Sequence, residues 1–245
     1  LACLLRKFQS RGWQVITRGH QNLIIVDGPM PEQLPKVKFN YTTTILLDRR
    51  RYSDEEVATI VGSCVQHVIC EHARVVGRVF DSVGRGAILR SVWLPKATSV
   101  GENALMDCVF LTHISLPVVE AIGEEAFSGC SSLKSVSLVA RDLGDAAFSH
   151  CADLGTVSLP FARAASRELF WYCTRLTSVS MPVATEVLDR AFYRCHSLTS
   201  VSLPEVRRVG EHAFGNCANL TSVSLPEVRR VGKRAFQLCK KLKTV

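Results

Sequence analysis

No run in this chain approaches the roughly 18 consecutive apolar residues that a membrane-crossing helix needs. The richest stretches, at 23–26 and 45–47, each end in an aspartate, so a transmembrane helix is excluded. The chain also lacks a Cys-x-x-Cys pair and any Cys/His cluster at zinc-finger spacing, which removes the usual metal sites. There is no G-K-[ST] phosphate loop, no G-x-S-x-G elbow and no H-E-x-x-H helix. Without these motifs, nucleotide hydrolysis, acyl transfer and zinc-dependent hydrolysis have no residues to carry them. No catalytic residue and no cofactor are therefore expected. Apolar residues, in contrast, make up 47% of 245 positions, too many for a disordered chain and enough for one large domain or two small ones.

Seven of the ten cysteines, Cys108, Cys130, Cys151, Cys173, Cys195, Cys217 and Cys239, recur every 22 residues with one interval of 21. The period belongs to a whole unit, L-x-x-V-x-L-P-x-V-x-x-V-G-x-x-A-F-x-x-C-x-x, clearest where 198–219 is repeated almost letter for letter by 220–241. In L-x-x-V-x-L the apolar residues alternate with serine, as in Leu220, Val223 and Leu225 against Ser222 and Ser224. That is a short half-buried strand, and stacking the copies makes a parallel sheet. The following proline ends the strand, and the V-x-x-V-G segment makes a turn. Ser166 and Leu188 replace the glycine in two copies, so the turn does not demand a positive φ. Phe214, Cys217 and Leu220 stand at i, i+3 and i+6, which predicts a short helical segment. The phenylalanine column, Phe127 to Phe236, with Leu105 standing in first, is read as core. Thiols stacked in parallel point the same way and not at each other, so free buried cysteines are expected.

These boundaries divide the chain into an N-terminal cap region at 1–64, a degenerate first repeat at 65–88, and seven repeats plus the start of an eighth at 89–245. Within the cap region, strand formers around Gly19 predict a hairpin, 41–48 a strand, and 53–64 a capping helix. That helix opens on Ser53 with Glu56 completing a capping box and Tyr52 stapled to Val57. The chain starts on Leu1 and stops four residues into a further copy, as a segment of a longer parent chain would.

The strand, the proline, the V-x-x-V-G-x-x-A-F turn and the F-x-x-C-x-x-L end resemble the BspA-like leucine-rich repeats over 89–245, and more weakly over 65–88. Val228 and its equivalents stand where common leucine-rich repeats place Asn or Cys. The resemblance implies a leucine-rich-repeat solenoid with one short strand, a turn and a short helical segment per copy. It also implies binding of protein or matrix and no catalysis, since such arrays occur in bacterial surface adhesins and in large protist families.

Function then has to sit where the copies differ. The outward strand positions are mostly serine, and only Trp93 and His113 have the bulk of an interface anchor; packing under the N-terminal cap is the competing role for Trp93. Charge supplies the second candidate. Local balances, Lys and Arg against Asp and Glu, are 13 to 8 over 1–90, 8 to 11 over 91–200, and 9 to 3 over 201–245. Arg207, Arg208, Arg229 and Arg230, with Lys233 and Arg234, form a basic edge that an anionic partner would relieve of its self-repulsion. Another protein with an acidic surface is the expected partner, and peripheral contact with anionic lipid is a second. The absence of interleaved aromatics argues against nucleic acid. The segment is read as an interaction scaffold or a cell-surface adhesin; free thiols favour a reducing, intracellular compartment.

Overall fold

The computed structural model describes residues 89–244, together with the backbone of five earlier strands at 14–18, 21–26, 42–47, 67–70 and 75–76. The helix expected at 53–64 lies outside the described residues. The described part is a parallel β-solenoid in which each copy forms one rung carrying a three-residue and a two-residue strand.

Strands β1 (Gln14–Arg18) and β2 (Gln21–Val26) pair antiparallel, and β3 (Thr42–Leu47) and β4 (His67–Cys70) follow in parallel. β4 pairs in register with β6 (Ser91–Trp93), which pairs with β8 (His113–Ser115). The column continues through β10 (Ser135–Ser137), β12 (Thr156–Ser158), β14 (Ser178–Ser180), β16 (Ser200–Ser202) and β18 (Ser222–Ser224). The two-residue strands form the second column: β5 (Val75–Val76), β7 (Ser99–Val100), β9 (Ala121–Ile122), β11 (Asp142–Leu143), β13 (Ala164–Ala165), β15 (Glu186–Val187), β17 (Arg208–Val209) and β19 (Arg230–Val231). Alternation does what period-2 patterning requires. The central Val136, Val157, Val201 and Val223 are buried, while most flanking serines face water.

Inside the stack the largest columns each repeat one residue type in nearly every rung. Phe127, Phe148, Phe170, Phe192 and Phe214 are fully buried. From Phe127 to Phe236 the rings stack at centroid spacings of 5.1–6.0 Å. Leucines 111, 133, 154, 176, 198 and 220 form a second buried column beside them.

The third side of each rung differs from the expected helical segment. Among the described residues it contains no helix; it is a series of turns with a left-handed residue at two fixed places, before the Ala-Phe pair and before the cysteine. His212 (φ 52) and Asn216 (φ 61) show the pattern in one rung, Arg190 (φ 55) and Arg194 (φ 64) in the preceding one. A helix returns every N–H to its own carbonyls four residues back. Here alternate N–H groups leave the rung instead. Arg190, Phe192 and Arg194 donate to Glu211, Ala213 and Gly215 of the next rung at 2.8–2.9 Å, while Ala191, Tyr193 and Cys195 close local turns. Backbone satisfaction is thus shared between rungs, and this offsets the cost of about 1–2 kcal/mol for each left-handed non-glycine residue.

Candidate binding surfaces

The cysteine column belongs to the scaffold. All seven described cysteines are free. The Sγ of Cys151, Cys173, Cys195 and Cys217 donates to the carbonyl oxygen of the phenylalanine in the preceding rung, at 3.1–3.3 Å. Burial pushes the Cys108 thiol up to about 12 and raises Cys130, Cys151, Cys173 and Cys195 well above the ordinary range. Cys217, hydrogen-bonded to the neighbouring Cys239 and buried, is raised too. Cys239 is half-buried at the last rung, and its hydrogen bond from Cys217 lowers it. A reactive cysteine needs thiolate and access together, so the column as a whole is inert.

Trp93 and His113 lie on the strand face of the first two fully described rungs. Trp93 is 39% exposed and pairs in register with Ile69 on one side and Ser115 on the other. His113 is exposed, and its Nδ1 lies 2.8 Å from Thr112 Oγ1. The Thr112 hydroxyl spends its proton on the Arg90 carbonyl at 3.0 Å. With that proton committed, the threonine oxygen accepts from Nδ1–H.

The basic candidates sit at the other end and on a different side. Arg208 and Arg230 are in-register partners of β17 and β19, and Arg229 N–H donates to the Arg207 carbonyl at 2.9 Å. All four side chains are exposed, as are Lys233 and Arg234 just beyond the second strand. The structure brings these six together on two adjacent rungs about 4.8 Å apart. None has an acidic partner within ion-pair distance among the described residues. The acid nearest in register is Glu186, which pairs with Arg208 across β15 and β17. Trp93 and His113 stand about five rungs away, roughly 24 Å, so the two candidate groups are separate surfaces.

A third surface escaped the sequence reading. On the turn side, the positions just before the cysteines of three successive rungs carry His150, Tyr172 and Arg194. The imidazole stacks on the Tyr172 ring at 5.2 Å, and the Arg194 guanidinium lies 5.5 Å from the same ring and 5.6 Å from that of Tyr193. Trp171 meets His150 edge-on at 4.8 Å, and Tyr193 meets His212 edge-on at 5.9 Å. Tyr193 lies flat against Gly215, where an added Cβ would come within 2.8 Å of its ring. Trp171 Nε1, Arg194 Nε and His212 Nδ1 are buried in this ladder without a hydrogen-bond partner. The signal was present as Trp-Tyr and Tyr-Arg before two consecutive ladder cysteines, where two other copies carry Ser-Gly and Gly-Asn. Trp, Tyr and Arg are the residue types that dominate interface energies.

The family model described as BspA type leucine rich repeat region matches six copies over 98–189 and 185–245. Among solved structures, a leucine rich cell surface protein from Faecalibacterium prausnitzii A2-165 is 25% identical, with a TM-score of 0.54. The alignment covers 86% of this chain and 52% of that one, so this chain spans about half the length of that protein. A leucine rich repeat protein from T. pallidum is 20% identical over 85% of this chain and 87% of its own, with a TM-score of 0.52, and shares the fold. No curated protein matches the sequence. With the family model covering more than half of the residues, the chain belongs to the BspA-type leucine-rich-repeat family.

Proposed function

We propose that this segment is a non-catalytic protein-interaction module whose basic edge, Arg207, Arg208, Arg229, Arg230, Lys233 and Arg234, docks an acidic surface of a partner protein. The observation that carries this reading is the in-register pairing of Arg208 with Arg230, with no acid within ion-pair distance of either. Like charges on neighbouring rungs repel, and a partner carboxylate or phosphate removes that repulsion at the moment of binding. Trp93 and His113 provide a second, separately placed contact on the strand face. Binding of anionic lipid is the runner-up, because the exposed apolar side chains beside the edge, Val231 and Leu238, make a small face for a membrane interface. Salt dependence tests the electrostatic basis. Raising ionic strength from 0.15 to 1 M shortens the screening length from about 8 Å to about 3 Å. Partner retained on the immobilised chain should elute over that range; retention unchanged at 1 M contradicts the basic edge.

A surface-adhesin role is a second reading. It draws on the F. prausnitzii protein, described as a cell surface protein, while the free, buried thiol column favours an intracellular scaffold. Thiol titration of protein isolated from its native source separates the two. The half-buried Cys239 is the thiol that reports: its full reduction supports the scaffold, and a mixed disulfide on it supports the surface.

A further inference from the structure

The corner between the two strand columns carries a pattern that neither the core nor the basic edge uses. The residue two places before Thr98, Glu120, Arg141, Arg163, Thr185, Arg207 and Arg229 is Lys96, Val118, Val139, Phe161, Val183, Glu205 and Glu227 in successive rungs; it follows the proline position except in the 21-residue copy, where Val139 comes directly after Leu138. Backbone bonds just beyond this position link each rung to the next, from Glu120 N–H to Thr98 through to Arg229 N–H to Arg207, and hold the seven in one column. The four central side chains are apolar and exposed: Val118 by 45%, Val139 by 37%, Phe161 by 50% and Val183 by 46%. Pro117 and Pro182 widen the strip. Single exposed valines are ordinary; four aligned on adjacent rungs over about 15 Å form a ridge.

The charges at its ends decide what fits. Lys96 stands one rung before Val118 and Glu205 one rung after Val183; both are exposed and neither has an ion-pair partner among the described residues. Turned end for end about the midpoint between Val139 and Phe161, the column falls on its own complement. Val118 meets Val183, Val139 meets Phe161, and Lys96 meets Glu205 at both ends. A parallel arrangement would set lysine on lysine and glutamate on glutamate.

We propose that a second copy of this chain docks here, ridge to ridge and antiparallel, through an isologous two-fold contact. Apolar contact supplies the driving force, and the Lys96–Glu205 pairs select the direction. On the second-strand side the same rotation sets Glu120 opposite Thr185 and Arg141 opposite Arg163, with Asp142, 4.0 Å from Arg163 in its own chain, beside the meeting cations. The strip is narrow beside the about 1,200–2,000 Å² of a stable interface, so association in the micromolar range or weaker is expected.

Sedimentation velocity of the 245-residue chain in reductant, from about 1 to about 200 µM, spans that range. The expected result is a monomer that becomes a dimer with concentration, and a Val139→Glu/Phe161→Glu variant that stays monomeric. Lys96→Glu alone and Glu205→Lys alone should each weaken the dimer by about fivefold, and the double variant Lys96→Glu/Glu205→Lys should recover it. All these positions are exposed, and circular dichroism checks that each variant folds. A monomer throughout, a dimer unmoved by the ridge variant, or single swaps that the double swap does not rescue would each overturn the proposal. In the first case the ridge is open to a different protein.

Discussion

From Cys151 to Cys239 each thiol faces the carbonyl of the phenylalanine one rung back, and Cys130 faces that of Leu105; this contact explains why cysteine occupies the column. Its sulfur is apolar enough for full burial and still donates weakly to an oxygen that the preceding rung's cysteine N–H already serves, as Cys195 Sγ and Cys173 N–H do at the Phe170 carbonyl. Two outcomes follow at this scale. A short pulse of alkylating agent on the native protein, read peptide by peptide, should label Cys239 first among the seven, because it is half-buried and its thiolate is favoured by Cys217. Cys130, Cys151, Cys173 and Cys195 should react only on unfolding. The second outcome concerns pH. The folded-state values of the buried thiols lie above their unfolded values, so their contribution to stability is complete below about pH 9 and is lost as pH rises towards the folded values. Each such thiol costs up to about 1.4 kcal/mol per pH unit once the unfolded state ionises. Urea midpoints in reductant should therefore be flat from pH 7 to 8.5 and fall steeply by pH 10.5.

At the scale of the element, the glycine after V-x-x-V and the two left-handed residues divide the labour of turning a rung. None of Gly123, Gly144, Gly210 and Gly232 has a positive φ; what they provide is room. A Cβ on Gly123 would sit 2.5 Å from the backbone of Gly101 and Glu102, and one on Gly210 2.5 Å from the Asp189 nitrogen. Where serine takes the place, Ser166 Oγ donates to the Leu143 carbonyl and the neighbouring backbone accommodates it. Gly210→Val should destabilise by about 1–3 kcal/mol through forced separation of rungs, and Ser166→Gly by less; denaturant midpoints compare the two directly. The strand and the proline stop were legible because alternation and a missing N–H act within one copy. The left-handed positions were not, because Glu125, Ala146, Tyr172, Arg190 and His212 occupy them and none signals a positive φ by itself. Hydrogen bonds from the neighbouring rung hold them there, so the helical segment expected from the i, i+3, i+6 spacing placed Phe214, Cys217 and Leu220 correctly in the core but with the wrong backbone.

Across the whole molecule, periodicity makes the shared columns readable and hides what lies between copies. A 22-residue period was sufficient to place leucine, valine, phenylalanine and cysteine inside, since identical residues stacked at strand spacing must bury one another. The ladder of His150, Tyr172 and Arg194 and the ridge from Val118 to Val183 arise only when unlike residues of successive copies are read down a column, a direction the linear chain does not display. The arginine pairs were visible because duplication wrote them twice, in 198–219 and again in 220–241. The claim that function resides in such variable columns is most directly tested at the basic edge. Partner recovery by affinity purification with mass spectrometry, compared between the native chain and the Arg207→Glu/Arg208→Glu/Arg229→Glu/Arg230→Glu variant, should fall at least about tenfold on loss of these charge contacts, with thermal unfolding of the variant close to that of the native chain. Equal recovery by a folded variant would contradict it.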